Sequence, residues 1–270
     1  MFYFIVSSRI KTRRNVTSMS SLLEKLKVVN LIFVITSITT FYCYGKTTNK
    51  IIVAAHVEPP FMIYKSGTYT GRNAVVVRLL ATSIKKDIDF KPCSFGQCLN
   101  MMEQGKADLI VDIRQTPERQ NYLQYLETPL YSEVLQMNYY SLHDDPKIIQ
   151  SYQDLKNLNI GVLGGASYYN PFDQDKSLNK TETNNHQQLV TMLLRKRIDV
   201  FIGREESIKA QAEKYIYENK IKIAPYKIKQ KVAAYIAISK KSSLVNYSNV
   251  LSKNLISILN REEIKPLFPQ

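Results

Sequence analysis

Short apolar runs alternate with amphipathic stretches along most of the chain. Continuous apolar, β-branched runs are typical of buried strands, and they occur at 51–55, 109–113, 159–163 and 198–202, with a shorter strand at 89–91. Apolar residues at helical spacing predict the intervening helices, at 73–86, 98–104, 187–197, 207–218 and 244–259, and a short helix at 152–158. This alternation indicates an α/β fold with mostly parallel strands.

Three further segments follow different patterns. Tyr131–Leu142 predicts a long strand that leaves the first group of strands. Residues 220–239 alternate Lys with apolar residues and predict a strand pair whose later part returns to that group. Residues 170–185 are polar and predict a surface loop.

The amino terminus has the layout of a secretory signal peptide. An apolar core at 31–41 follows Lys25 and Lys27, and small residues before position 46 predict cleavage after Gly45. The run is shorter than the roughly 20 residues that a spanning helix needs, which disfavours a membrane anchor. Bulky residues before Cys43 disfavour a lipoprotein. Met19 is an alternative start, and the predicted mature protein begins near Lys46 outside the cytoplasm, in the periplasm.

The chain of 270 residues carries a net charge of +14. Residues 1–45 contribute six basic side chains and one acid, so residues 46–270 keep a net charge of +9. The excess is spread widely as Lys, without an aromatic-interleaved stripe, which favours a solvated basic surface over a nucleic-acid face.

The cysteines and histidines do not predict a metal site. Loss of the signal leaves Cys93 and Cys98, an even pair in an oxidising compartment, for which a disulfide is favoured over two free thiols. His56, His143 and His186 are scattered, so no zinc site and no other cofactor are predicted.

Arg119 is the main candidate for binding chemistry. It follows the apolar strand at 109–113, and the carboxyl edge of an open α/β sheet is where ligands bind. A guanidinium presents a planar fork of donors that can hold a carboxylate. The alternative is a surface pair with Glu118 or Glu127.

Glycines end the strand at 159–163 and form a second candidate. In Gly164-Gly165-Ala166-Ser167, backbone N–H groups at the start of a helix could face an anion. The stretch lacks the Gly-Lys-Ser/Thr of a P-loop, and an ordinary tight turn is the alternative.

Several weak motifs in a fixed order give the chain a family resemblance. They cover about residues 50–260 and comprise Pro59-Pro60-Phe61 with Gly71, Cys93 and Cys98-Leu99, Gly105-Lys-Ala-Asp108, Thr116-Pro-Glu-Arg119, Tyr125, Pro129-Leu-Tyr131, Asp154-Leu155, Ile160-Gly-Val-Leu-Gly-Gly165 and Arg197-Ile-Asp199. Together they resemble the extracytoplasmic (periplasmic) solute-binding proteins of family 3, which serve amino-acid-type ABC importers.

The resemblance implies a two-lobed, type II periplasmic-binding-protein-like fold, in which two α/β lobes are joined by two crossover strands. The implied lobes are 46–137 with 234–270, and 138–233, after a signal at 1–45. One subgroup of the family carries a bridged pair at the positions of Cys93 and Cys98.

The resemblance also implies a ligand site. Arg119 stands at the carboxylate-binding arginine, and Ser167 stands where a hydroxyl and a backbone N–H join it, beside Gly165 and Ala166. Phe61 follows the loop that supplies an aromatic wall, and Glu58 occupies the position that often carries that aromatic.

Two arginines depart from the family pattern. Arg114 replaces a small hydroxyl near the ligand amine, and Arg204 replaces an acid that pairs with the ammonium. If both face the cleft, the expected ligand is anionic, although Asp112 and Glu58 could restore an amine site or simply pair with the arginines. Arg204 turned outward toward Glu205 or Glu206 is the alternative.

These observations favour a non-enzymatic binding protein. It would capture a small carboxylate-bearing ligand, an amino acid or a dicarboxylate, and pass it as a monomer to an inner-membrane ABC permease. An exported dehydratase or lyase using Glu58, and a ligand sensor on the same scaffold, are the alternatives.

Overall fold

The computed structural model describes residues 50–268, so the predicted signal at 1–45 lies outside the described residues. The strands are β1 (Lys50–His56), β2 (Ile63–Lys65), β3 (Thr68–Thr70), β4 (Asp87–Cys93), β5 (Leu109–Ile113), β6 (Leu123–Tyr125), β7 (Tyr131–Leu142), β8 (Asn159–Leu163), β9 (Asn179–Thr183), β10 (Val200–Gly203) and β11 (Ile221–Ser239). The α-helices are α1 (Arg72–Ser83), α2 (Phe95–Gln104), α3 (Pro117–Gln120), α4 (His186–Leu194), α5 (Glu205–Gln211), α6 (Lys214–Asn219) and α7 (Ser248–Leu259). Single 3-10 turns lie at Tyr152–Leu155, Ser243–Tyr247 and Lys265–Leu267.

Two parallel groups of strands are joined by two long antiparallel ones. The strand order in the nine-stranded sheet is β4-β1-β5-β11-β7-β10-β8-β9, and β6 also pairs with β11. Strand β1 is parallel to β4 and β5, and β8 is parallel to β9 and β10. Strands β7 and β11 run antiparallel side by side between these groups, from Ile221 opposite Leu142 to Ala234 opposite Tyr131. We call β1–β6 with α1–α3 and α7 the first half, and β8–β10 with α4–α6 the second half.

Each half has its own apolar core. In the first half, α1 and α7 cover one face of the sheet, with Val77 and Leu255 buried, while α2 covers the other face with Met102. In the second half, Phe172 packs in one cluster and Leu189 of α4 in another. The buried strand runs that the sequence predicts therefore supply both cores, as expected for strands covered on two faces.

Local signals explain where helix α2 begins and ends. The backbone N–H of Ser94 donates to Gln97 Oε1 at 3.0 Å, which is half of a capping box. Gly105 follows the helix with φ of 73°, a left-handed conformation that glycine adopts without strain. The predicted stop at Gly105 is confirmed. The Cys93–Cys98 disulfide is present and links β4 to α2.

Three predictions of local structure are wrong. Residues 170–185 are not all surface loop, because they include β9, and both Phe172 and Leu178 are buried. Residues 220–239 form one strand, β11, whose pairing shifts between Ile223 and Lys227. Pro225 lies in that gap and has no N–H to donate, so a bulge interrupts one strand where the sequence predicts a strand pair. The single helix predicted at 207–218 is two helices, since Ala212 between them is extended.

No helix within residues 50–268 is both long enough and apolar enough to cross a bilayer.

Candidate functional site

A cavity of about 130 Å³ lies where the two halves meet, at the carboxyl ends of β1, β5, β8 and β10. Seven residues that the sequence predicts for the site line this inner cavity: Glu58, Asp112, Arg114, Arg119, Ala166, Ser167 and Arg204. Gly165 lines a second, more open cavity of about 940 Å³, which we call the outer groove. The boundary between the two cavities is formed by the residues that line both: Arg114, Arg119, Leu163, Ala166, Ser167 and Tyr168.

Arg119 connects the two halves. Thr116 caps the short helix α3 by accepting from the Arg119 N–H, which directs the side chain inward. The guanidinium is buried and donates from Nη1 to the Arg114 carbonyl at 2.9 Å and from Nη2 to the Gly165 carbonyl at 2.8 Å. Burial lowers the pKa of Arg119. The surface pair with Glu118 or Glu127 is therefore not formed.

Arg114 makes a parallel connection. Its Nη1 donates to the Tyr168 carbonyl of the second half at 2.6 Å. Burial lowers the pKa of Arg114, and the nearby charge of Arg204 lowers it further. Tyr131, Asp173 and Asp112 act on the pKa of Arg114 in the opposite direction.

The turn after β8 forms the opposing wall without opening a helix. Gly165 has φ of 76°, and a Cβ there would lie 3.0 Å from Leu99 Cδ1. The Ala166 N–H donates to the Leu163 carbonyl at 3.1 Å, and Ser167 Oγ donates to Asp173 Oδ2 at 3.0 Å. The tight-turn alternative is therefore correct at Ala166, whose N–H is used inside the turn.

Arg204 turns into the cavity, not outward. Its Nη1 donates to the Tyr131 hydroxyl at 3.1 Å, and its Nη2 lies 3.9 Å from Asp112 Oδ2. Burial by itself lowers the pKa of Arg204, but the neighbouring Tyr131, Asp112 and Glu58 outweigh burial and raise that pKa. Glu205 pairs instead with Lys209 at 2.6 Å. The outward alternative is therefore wrong.

Phe61 supports Arg204 and does not line the inner cavity. The Arg204 guanidinium carbon lies 4.6 Å from the centre of the Phe61 ring, and that of Arg72 lies 4.4 Å from it. Such cation–π contacts hold a guanidinium in place. The Phe61 ring therefore affects the cavity by holding the Arg204 guanidinium in position.

Asp112 is the acid of β5 and accepts two hydrogen bonds beside a longer contact with Arg204. Oδ1 accepts from the Tyr131 hydroxyl at 2.6 Å, and Oδ2 accepts from Asn73 Nδ2 at 3.2 Å, beside Arg204. Burial raises the pKa of Tyr131, and the charge of Asp112 adds to that shift. Asp112 has φ of 61°, an uncommon value outside glycine that marks a constrained position.

A His–Glu–His cluster lines the cavity, and sequence reasoning missed it. Glu58 Oε2 lies 3.1 Å from His186 Nδ1 and 3.3 Å from His56 Nε2, at ion-pair distance without hydrogen-bond angles. Burial by itself raises the pKa of Glu58, but His186 and His56 outweigh it and hold that pKa well below its ordinary value. No group of His, Cys, Asp or Glu within residues 50–268 is arranged to hold a metal ion.

Position in the chain explains why the cluster was missed. His56 and Glu58 follow β1, whereas His186 begins α4, capped by Asn185. Nothing in the local sequence marks His186, at the start of a helix after β9, as a site residue. The only available signal was that each histidine lies near a strand end.

Comparison with known proteins identifies the family. Residues 51–250 match the family model of the bacterial extracellular solute-binding proteins, family 3. The comparison with curated protein sequences gave no significant match.

Solved structures show the same fold. A Salmonella typhimurium periplasmic binding protein with high arginine specificity is 16% identical, with a TM-score of 0.65, covering 81% of this chain and 96% of its own. An amino-acid ABC transporter substrate-binding protein from Streptococcus pneumoniae, bound to L-arginine, is 22% identical, with a TM-score of 0.66 and coverages of 82% and 94%. A truncated, arginine-bound protein from T. maritima is 16% identical, with a TM-score of 0.62 and coverages of 77% and 96%.

The two-lobed, type II periplasmic-binding-protein fold is therefore confirmed, and the family and these neighbours are substrate-binding proteins, not enzymes. The chain belongs to the bacterial extracellular solute-binding proteins of family 3.

Proposed function

We propose that this protein captures a small carboxylate-bearing ligand in the inner cavity and delivers it to an ABC importer. The observation that carries the proposal is Arg119, a buried guanidinium that reaches from the first half to the Gly165 carbonyl of the second. A ligand carboxylate at this position would accept the two hydrogen bonds that the guanidinium now donates to backbone carbonyls.

Capture needs groups from both halves. Arg119 comes from the first half, and Ser167 with the turn around Gly165 and Ala166 comes from the second. A ligand that contacts both halves stabilises the closed arrangement over an open one, because it interacts with both sides only when they meet. Strands β7 and β11, which connect the halves, are the natural place for a hinge.

The lobes, location and assembly form part of the proposal. Lobe 1 comprises 46–137 with 234–270, and lobe 2 comprises 138–233. The protein is exported to the periplasm by the signal at 1–45 and works as a monomer with an inner-membrane permease. Family membership supports the extracytoplasmic location and the importer, and the arginine-binding neighbours support an amino-acid-type ligand.

An enzymatic use of Glu58 is disfavoured by its environment. A general acid or base works best with a pKa near the working pH, whereas His186 and His56 hold the pKa of Glu58 low. A sensing role uses the same capture step, and only an interaction with the permease separates transport from sensing.

Thermal unfolding with a panel of small carboxylates tests the capture step. A ligand at about 100 times its Kd stabilises the folded state by roughly 2.7 kcal/mol. We expect this stabilisation in the wild type and in Arg195→Gln, whose exposed arginine lies outside the cavity, and its loss in Arg119→Gln. Equal stabilisation of all three proteins would place the ligand elsewhere and contradict the proposal.

A further inference from the structure

The charges that face the inner cavity are unevenly compensated. Among the described residues that line it, three are arginines, Arg114, Arg119 and Arg204, and two are carboxylates, Glu58 and Asp112. The cavity wall is therefore positive even when both of its histidines are neutral. What matters for recognition is which of these charges already have partners of opposite sign.

Both carboxylates lie against protein groups. Asp112 accepts from Tyr131 and Asn73 and lies beside Arg204. Glu58 is contacted by His56 and His186 on a single oxygen, and its side chain is only 12% exposed. A ligand ammonium at Asp112 would have to displace the Tyr131 and Asn73 donors, which would leave buried polar groups unpaired.

Arg114 and Arg119 have no acid at ion-pair distance within the described residues, and Asp173 acts on both only from farther away. Their hydrogen-bond acceptors within the described chain are the carbonyls of Arg114, Gly165 and Tyr168, and neither arginine forms an ion pair there. A carbonyl satisfies a donor but does not neutralise a charge. Burying a charge without an ion-pair partner is costly, so each of the two guanidinium groups favours an anionic ligand group beside it.

Arg204 adds its positive charge to those of Arg114 and Arg119, although Asp112 lies beside it. Its contact with Asp112 is long, at 3.9 Å, and Asp112 already accepts two shorter hydrogen bonds. The charge of Arg204 repels that of Arg114 and lowers its pKa, while Tyr131, Asp173 and Asp112 act on that pKa in the opposite direction. An anionic group between these two arginines would relieve that repulsion.

We propose that the ligand is a small dicarboxylate that carries no ammonium group. This inference rests on the proposed function and specifies its ligand class. One carboxylate is held by Arg119 with Ser167, and the second is held between Arg114 and Arg204. His56, His186, Tyr131 and Asn73 act as specificity residues, because they occupy the acids that would otherwise take an amine.

Pairs of ligands that differ only by an ammonium group test the proposal that this group weakens binding, which we call the charge rule. Isothermal titration of the full protein compares succinate with L-aspartate and glutarate with L-glutamate, and includes L-arginine and L-glutamine. We expect at least one dicarboxylate to bind about tenfold or more tightly than its amino-acid counterpart, a difference of about 1.4 kcal/mol. L-arginine should bind more weakly still.

Variants of Arg204 test whether this residue holds the second carboxylate of the ligand. Arg204→Gln should weaken binding of the preferred dicarboxylate about tenfold or more, and Arg204→Lys, which keeps the charge but not the fork, should weaken it less. Arg195→Gln, at an exposed position, should change nothing. Circular dichroism of each variant shows whether it is folded.

The outcomes separate this inference from the proposed function. If L-arginine, L-glutamine or L-glutamate binds more tightly than every dicarboxylate, the charge rule is wrong but the capture of carboxylates stands. If no carboxylate of either kind binds, both are wrong. Unchanged dicarboxylate affinity in a folded Arg204→Gln would also overturn the inference, because Arg204 would then hold no part of the ligand.

Discussion

Arg119 Nη2 donates to the Gly165 carbonyl at 2.8 Å and so joins two residues that are 46 positions apart and belong to opposite halves of the molecule. Its other terminal nitrogen holds the Arg114 carbonyl of its own half. The planar fork therefore spans the boundary between the inner cavity and the outer groove.

The fork geometry predicts that Arg119→Lys is not a conservative change. A lysine ammonium keeps the charge but cannot hold two acceptors in one plane. We expect affinity for the preferred carboxylate to fall about tenfold or more, the equivalent of one lost charge-assisted hydrogen bond. Titration calorimetry measures this, with Lys240→Arg, which is exposed, as the control. Wild-type affinity in Arg119→Lys would show that charge alone binds the ligand.

Glycine 165 should be needed for the close approach of the two halves. Gly165→Ala places a left-handed φ on a residue with a Cβ, at a cost of about 1–2 kcal/mol, and brings that Cβ within 3.0 Å of Leu99 Cδ1 and 3.3 Å of Gly96 Cα. We expect both stability and ligand affinity to fall. Chemical denaturation and ligand titration measure the two effects.

Gly67→Ala is the matched control for this change. Gly67 has φ of 80° and no heavy atom within 4 Å of an added Cβ, so it carries the backbone cost without the contact. Stability should fall in both variants, but ligand affinity only in Gly165→Ala. Equal affinities would mean that the contact between Gly165 and Gly96 does not matter for binding.

The Cys93–Cys98 bond should contribute modestly to stability. It closes a loop with a sequence separation of 5, for which the loop-entropy relation gives about 2 kcal/mol. We expect Cys93→Ala/Cys98→Ala to lose about that amount in urea denaturation without reductant. Adding reductant should lower wild-type stability toward that of the double variant and leave the variant unchanged. No effect of reductant on the wild type would count against an accessible, stabilising bond.

The low pKa of Glu58 makes its contribution to stability dependent on pH. Because its folded pKa lies below the ordinary glutamate pKa of 4.5, the contribution is complete above about pH 4.5 and is lost as pH falls toward the folded pKa. Glu58→Gln should therefore be less stable than wild type at pH 7, and the difference should narrow below pH 4.5. Denaturation curves across pH measure this.

An exposed glutamate provides the comparison for that experiment. The side chain of Glu218 is 54% exposed and pairs with Lys214 at 3.8 Å on one helix. Surface pairs contribute little, about 0–1 kcal/mol, so Glu218→Gln should change stability slightly at either pH. A Glu58→Gln difference that stays constant from pH 7 to pH 3 would contradict the assigned pKa shift.

Local sequence determined most of the secondary structure. The β-branched runs of β1, β5 and β8 form strands because they are buried on both faces, and Gly105 ends α2 because its left-handed conformation suits glycine. The Thr116-Pro117 cap directs Arg119 inward through a contact three residues away. These interactions are short in sequence, so the pattern alone predicts them.

Tertiary packing decided the chemistry of the cavity. Whether Arg204 faces Glu205 or Asp112 depends on Tyr131 and Phe61, which lie in other elements. His186 meets Glu58 only because the start of α4 in the second half faces the end of β1 across the cavity. The sequence by itself thus determined the secondary-structure elements and identified Arg119 as the candidate anion-binding residue. The three-dimensional arrangement decided which charges are compensated, since that depends on distances between residues far apart in the chain.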